Sequence, residues 1–226
     1  MPPDRILLDI ESQRDFFRPG GSLYGPGAAE TARRIYRLFA WARAYRIPVI
    51  STVLRVRRGE LGPLAAVPHC VEDTDGERKL PGTVLGRRIN LGLLNTTDLP
   101  DHILVRYQQV IFEKRSTSIF SHARIERLIT ELPPVTFVLC GAGIAHGIVE
   151  AAVGLRRRGF GVILAEDAAL AVDADAAEMA RRRMEAKGVV FATTEGIVAP
   201  PVHVPRRRFR SPQPTERQAL WVPGRK

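Results

Sequence analysis

Short apolar runs alternate along this chain with segments of helical period, and that alternation limits its folds more than any other feature. The runs are 6–8, 48–53, 109–112, 135–140, 161–165 and 189–192. Between them, residues 28–45 place Ile35, Leu38, Phe39 and Ala42 on one helical stripe. Residues 122–132 read as a helix that stops before Pro133-Pro134, 144–158 as one ended by Gly159, and 175–187 as one ended by Gly188. The run 135–140 is apolar nearly throughout, the pattern of a central parallel strand covered on both faces. Strand and helix in turn, with short connections, predict a three-layer α/β/α architecture. Its core is an open, mostly parallel six-stranded sheet.

Two stretches interrupt the alternation. Residues 55–99 are rich in Gly and Pro and poor in periodicity, as expected of a functional loop or an oligomer contact. From residue 200 onward Pro and Arg dominate without period, which predicts a folded domain over 1–199 and a disordered basic tail over 200–226. Trp221 stands alone in that tail. The chain of 226 residues carries a net +10, but residues from Arg206 onward supply +6 of it. The body is then too weakly basic to argue for nucleic acid, and only the tail keeps that possibility. No apolar run approaches the roughly 20 residues of a membrane span. The opening Met1-Pro2-Pro3-Asp4-Arg5 does not read as a signal peptide. Two cysteines, Cys70 and Cys140, make no disulfide framework, so a cytoplasmic setting is expected.

In open α/β sheets the ligand site lies beyond the carboxyl ends of the strands. Attention therefore falls on residues 9–15, 52–58, 113–114 and 141–147. The first of these holds Asp9, Glu11, Gln13 and Asp15, the second Arg55, Arg57 and Arg58, and the third Glu113 and Lys114. Guanidinium pairs bidentately with carboxylate, so Arg55 is a candidate for an anionic ligand. Cys140, inside an apolar strand, reads as a buried inert thiol.

Several segments together resemble the isochorismatase-like (cysteine hydrolase) superfamily. They are Glu11-Ser12-Gln13-Arg14-Asp15-Phe16 with Pro19-Gly20-Gly21; Pro68-His69-Cys70-Val71 with Gly76-Glu77; Glu113-Lys114 with Ser118 and Phe120; the 141–151 strand–turn–helix element; and Glu166-Asp167-Ala168. The resemblance spans about residues 5–195. It implies the fold just derived, a commonly oligomeric protein and a small-molecule substrate. Amide-cleaving members use an Asp, a Lys and a Cys, the thiolate attacking while the carboxylate moves the proton. On this chain the lysine falls on Lys114, the Asp position on Glu11, and the nucleophile position on Gly147. Asp9 lies two residues before Glu11 on the strand, and side chains two apart share a face, so either carboxylate is a candidate for the cleft.

The resemblance also implies that Phe16, Gly143, His146 and Gly147 line the substrate pocket, the amides near Gly143 stabilising a developing oxyanion. His146 has a second reading as a capping or interface histidine. The nicotinamidase branch binds a metal through Asp and His residues after its second strand. Here 52–58 holds neither, so no metal and no other cofactor are expected. The isochorismatase branch resembles this chain in having Gly at the nucleophile position; it cleaves a vinyl ether by protonating carbon. The expectation is thus either a thiol-independent hydrolase using Glu11 and Lys114 on a small anionic molecule, or an inactive homo-oligomeric binding or scaffold protein. An RNA-associated role resting on the tail is a distant third.

Overall fold

The computed structural model describes residues 4–199. The predicted tail, with Trp221, lies outside the described residues. Seven strands form one all-parallel sheet in the order β3-β4-β2-β1-β5-β6-β7. They are β1 (Arg5–Ile10), β2 (Val49–Leu54), β3 (Arg88–Asn90), β4 (Gln109–Lys114), β5 (Thr136–Ala142), β6 (Gly161–Leu170) and β7 (Val190–Ala192). The six expected strands are present. The seventh, β3, is a three-residue edge strand inside the long 55–99 excursion. Its sequence, Arg-Ile-Asn, has too few residues to show a period, and backbone pairing to β4 alone places it.

The helices are α1 (Arg14–Phe17), α2 (Ala28–Tyr45), α3 (Ile103–Arg106), α4 (Ala123–Thr130), α5 (Val149–Arg157), α6 (Ala174–Glu185) and α7 (Thr194–Val198). Helix α2 has the predicted bounds and buries the predicted stripe. It ends where Arg46 turns left-handed and returns its N–H to the Ala42 carbonyl. The expected helix over 144–158 divides: a wide turn, Ile144–Ile148, precedes α5. Asp173 caps α6 by accepting from the Ala176 amide.

Two apolar cores sandwich the sheet. One joins Ile6, Leu8, Ile10, Phe112, Phe137 and Leu139 to α4, α5 and α6. The other joins Leu7, Val49, Val138 and Cys140 to α2 and α7. Period-2 alternation along β1 sends neighbouring residues into opposite cores. From β1 the chain builds outward through β2 and β4, then returns to place β5 on the other side of β1. The crevice at this reversal, beyond the carboxyl ends of β1 and β5, is where such sheets bind ligands. The two strands press together there. Gly141 sits at φ +127°, and a Cβ on it would come within 1.8 Å of the Ile10 carbonyl oxygen.

Candidate active site

At the end of β1 the backbone leaves strand geometry. Glu11 takes φ +54°, a left-handed conformation that costs a residue with a Cβ about 1–2 kcal/mol. The turn continues with the Gln13 N–H donating to the Glu11 carbonyl. This twist separates the two candidate carboxylates, because the alternation that makes residues two apart share a face stops at Ile10.

Glu11 goes to Lys114, at the end of β4, and the two form a buried ion pair. Glu11 is 0% exposed and Lys114 3%. The ammonium also donates to the Ser116 carbonyl at 2.6 Å and the Thr117 carbonyl at 2.9 Å, so its three protons all have acceptors. The other carboxylate oxygen, Glu11 Oε2, is buried with no hydrogen bond. Gly147 completes the group: a Cβ on it would lie 3.6 Å from Glu11 Oε1 and 3.1 Å from the Thr117 carbonyl oxygen. A side chain at position 147 would therefore project at the ion pair.

Asp9 goes the other way. Its Oδ2 accepts from Lys79 Nζ at 2.5 Å and Ser51 Oγ at 2.8 Å. Lys79 also reaches Ser12 Oγ, and Gln109 donates to Ser51 Oγ. Asp9 thus belongs to a polar network between the sheet and the 76–83 segment, away from the Glu11–Lys114 pair. Its other oxygen, Oδ1, is buried with no hydrogen bond, as Glu11 Oε2 is. Sequence reading missed Lys79. Its one local signal is its place two residues after the quoted Gly76-Glu77 pair.

The remaining candidates divide. Gly143 (φ +79°) heads the wide turn, and Leu64 packs directly on it, since a Cβ there would lie 2.8 Å from Leu64 Cδ2. His146 lies inside that turn at φ −125°, ψ −106°, outside helical values, and its Nδ1 is buried without a hydrogen bond. It caps nothing. Phe16 is buried in the α2 core with its ring 6.3 Å from that of His69, so its face is spent on packing. Arg55 is committed to carboxylates. Its Nε lies 2.9 Å from Glu77 and its NH1 2.8 Å from Glu113. One of these acids, Glu77, comes from the 55–99 excursion folding back, and the other, Glu113, from β4.

Both thiols are held protonated. Burial pushes the Cys140 thiol well up, with Asp9 adding to it. Burial does the same at Cys70, reinforced by Glu11 and Asp15 and opposed by Lys114. Gln13 fastens the surroundings by donating to the Leu54 and Glu77 carbonyls and accepting from the Leu54 amide. Asp167 accepts from the Thr194 amide and hydroxyl, which ties β6 to α7.

Comparison with known proteins joins these observations. The isochorismatase domain model matches residues 95–196. The nicotinamidase/pyrazinamidase of Bacillus subtilis superposes with a TM-score of 0.65 at 17% identity, over 84% of this chain and 100% of that one. An isochorismatase family protein from Desulfovibrio vulgaris gives 0.65 at 22% identity, over 86% and 96%. The pyrazinamidase of Pyrococcus horikoshii, in complex with zinc, gives 0.64 at 19%, over 84% and 99%. No curated protein matches the chain by sequence.

The donors present here do not fit such a metal. After β2 come Arg55, Val56, Arg57 and Arg58. Both ring nitrogens of His69 face backbone, Nδ1 the Val67 carbonyl and Nε2 the Leu64 amide. Among the described residues no three His, Cys, Asp or Glu side chains are grouped to hold an ion. Residues 95–196 thus match the isochorismatase domain, and the chain as a whole has the fold of these solved structures.

Proposed function

We propose that this chain is an isochorismatase-like hydrolase that works without a thiol, Glu11 serving as the acid and Lys114 as the group that holds it. One observation carries the reading: Glu11 is buried at the strand ends with Oε1 held by Lys114 and Oε2 left without a partner. A buried carboxylate oxygen with no hydrogen bond is costly, and such orphans concentrate at functional sites. The left-handed Glu11 and the non-helical His146 add backbone strain at the same place.

In this reading the proton shared by the Glu11–Lys114 pair moves onto Glu11, leaving the neutral amine to its two carbonyls, and passes from the carboxyl to the substrate, in a vinyl ether to carbon. Water then adds to the oxocarbenium ion, and the resulting hemiketal collapses to ketone and alcohol, returning the proton. Neither step uses the missing thiol. The substrate is a small molecule. Since Glu77 and Glu113 neutralise Arg55, the reading carries no preference for an anionic one. Homo-oligomerisation, with contacts from residues 55–99, belongs to the same proposal and is read by light scattering.

The deciding experiment is turnover by purified protein on isochorismate and a panel of primary amides, beside Glu11→Gln and Lys114→Ala. Vinyl ether cleavage that drops by about 100-fold or more in Glu11→Gln supports acid catalysis. Amide cleavage sinks it.

A second reading, an inactive binding protein, is favoured by one fact: all three Lys114 protons are engaged and Glu11 is fully enclosed. It predicts no turnover on any substrate and no response to Lys114→Ala.

A further inference from the structure

Helices α5 and α6 pack side by side, each leaving the carboxyl end of a strand and running back to the amino ends of the sheet. Their last turns therefore lie together at the pole opposite Glu11 and Lys114. The sequence there is Arg156-Arg157-Arg158 on one helix, and Arg181-Arg182-Arg183 followed by Lys187 on the other. Arg156 fastens the two ends. Its side chain donates to the Phe160 carbonyl at 2.8 Å and to the Lys187 carbonyl at 3.1 Å, and a Cβ on Gly188 would lie 3.2 Å from its guanidinium. Seven cations thus share one surface, and Glu185 is the one acid within 156–158 and 181–187. Arg158 pairs with Glu126 of α4, and Arg182 with Glu178. Among the described residues Arg157, Arg181, Arg183 and Lys187 form no ion pair, and Arg157, Arg183 and Lys187 are exposed.

We infer that the last turns of α5 and α6 bind the phosphate backbone of an RNA strand, without reading its sequence. The helix dipoles explain part of the cluster, since each C-terminus carries about half a negative charge and favours a cation in its last turn. They do not explain seven cations. Like charges this close repel in the free protein, and a partner that brings negative charge relieves the repulsion. Six of the seven are arginines, whose planar fork holds phosphate bidentately. Packed helix axes lie about 8–10 Å apart, so the guanidinium groups form a strip across two helix ends and not a pocket. A strip of forks suits a chain of phosphates. The small net charge of the folded part hides this surface, because the acids that offset it, Glu72, Glu77 and Glu113 among them, gather around Arg55.

The test is binding of the full chain to a labelled oligouridylate of about 20 nucleotides, followed by fluorescence anisotropy from about 50 to about 200 mM salt. The parent is expected to bind, with log Kd rising linearly with log salt. Arg157→Gln, Arg181→Gln and Arg183→Gln together remove three phosphate contacts. The slope is then expected to fall by about 2, and the affinity at low salt by at least about tenfold. Arg33→Gln, Arg37→Gln and Arg43→Gln, on the exposed side of α2 across the sheet, remove the same charge and are expected to leave the slope nearly unchanged. A parent that does not bind, or equal losses in the two triple variants, overturns the proposal. So does a patch variant that keeps the parent's slope, since both variants retain the cations from Arg206 onward and binding would then rest on those. Equal affinity for polyglutamate, or tighter binding to vesicles of an anionic phospholipid, also overturns it. Should the patch variant not fold, Arg157→Gln and Arg183→Gln are measured singly, each expected to lower the slope by about 0.7. None of these readouts involves turnover, so this surface and the proposed acid catalysis fail separately.

Discussion

Glu11 and Lys114 meet across the carboxyl ends of β1 and β4 as a fully enclosed ion pair, with one oxygen of the carboxylate left unpartnered. Removing one member of such a pair leaves a buried charge that nothing compensates. Lys114→Ala is expected to lower stability by about 3–5 kcal/mol, and Glu11→Leu combined with Lys114→Met by much less. Denaturant titration of the three proteins checks this. Equal losses in the single and the double variant would show that the pair is not coupled.

Lys79 is expected to hold the 76–80 segment onto β1 through Asp9 and Ser12. Lys79→Ala strands Asp9, which is 0% exposed, and should also cost about 3–5 kcal/mol. Faster amide exchange confined to residues 76–80, around the Gln13–Lys79 bridge, is the local signature.

Gly147→Cys is expected to fold. The glycine is not in a left-handed conformation, and its nearest contacts for a Cβ, Ile10 Cγ2 and the Thr117 carbonyl, are at 3.1 Å. Neighbours must yield by a few tenths of an ångström, so the expected cost is about 1–3 kcal/mol of overpacking, read from the melting curve. Gly141→Ala, where a Cβ would fall 1.8 Å from a carbonyl oxygen at a left-handed φ, should be far worse.

Cys70 and Cys140 should not react with a disulfide reagent at about pH 8 in the native protein, and both should react in guanidinium. Burial raises each thiol, so the folded state favours the protonated form. The sign follows: this contribution is intact below the ordinary thiol range and is lost as pH rises above it. Rapid native labelling of either thiol would contradict the burial.

At Glu77, burial raises the carboxyl above its usual range while Arg55 pulls it back. A raised carboxyl contributes stability below the unfolded range, and that contribution is lost as pH rises. Arg55→Ala removes the opposing cation, so the variant should gain more stability than the parent on acidification from about pH 7 to about pH 5. Paired denaturation curves at the two pH values check the direction.

Much of the layered fold was readable before the structure. The bounds of α2 and its buried stripe, and the all-apolar β5, follow from periodicity because burying a stripe or two faces demands it. Lys114 and the glycine at position 147 stood out only through the resemblance to the isochorismatase-like superfamily. What sequence could not decide was direction. Whether Asp9 or Glu11 meets Lys114 depends on one left-handed residue that ends the strand alternation, and a glutamate carries no sequence signal for that conformation. The fates of Arg55 and Lys79 depend on where a 45-residue excursion without period, 55–99, folds back to deliver Glu72, Glu77 and Lys79. Local propensity determined the elements, whereas long-range packing decided which charges face one another, since such contacts are made between segments whose separation along the chain says nothing of their distance in space.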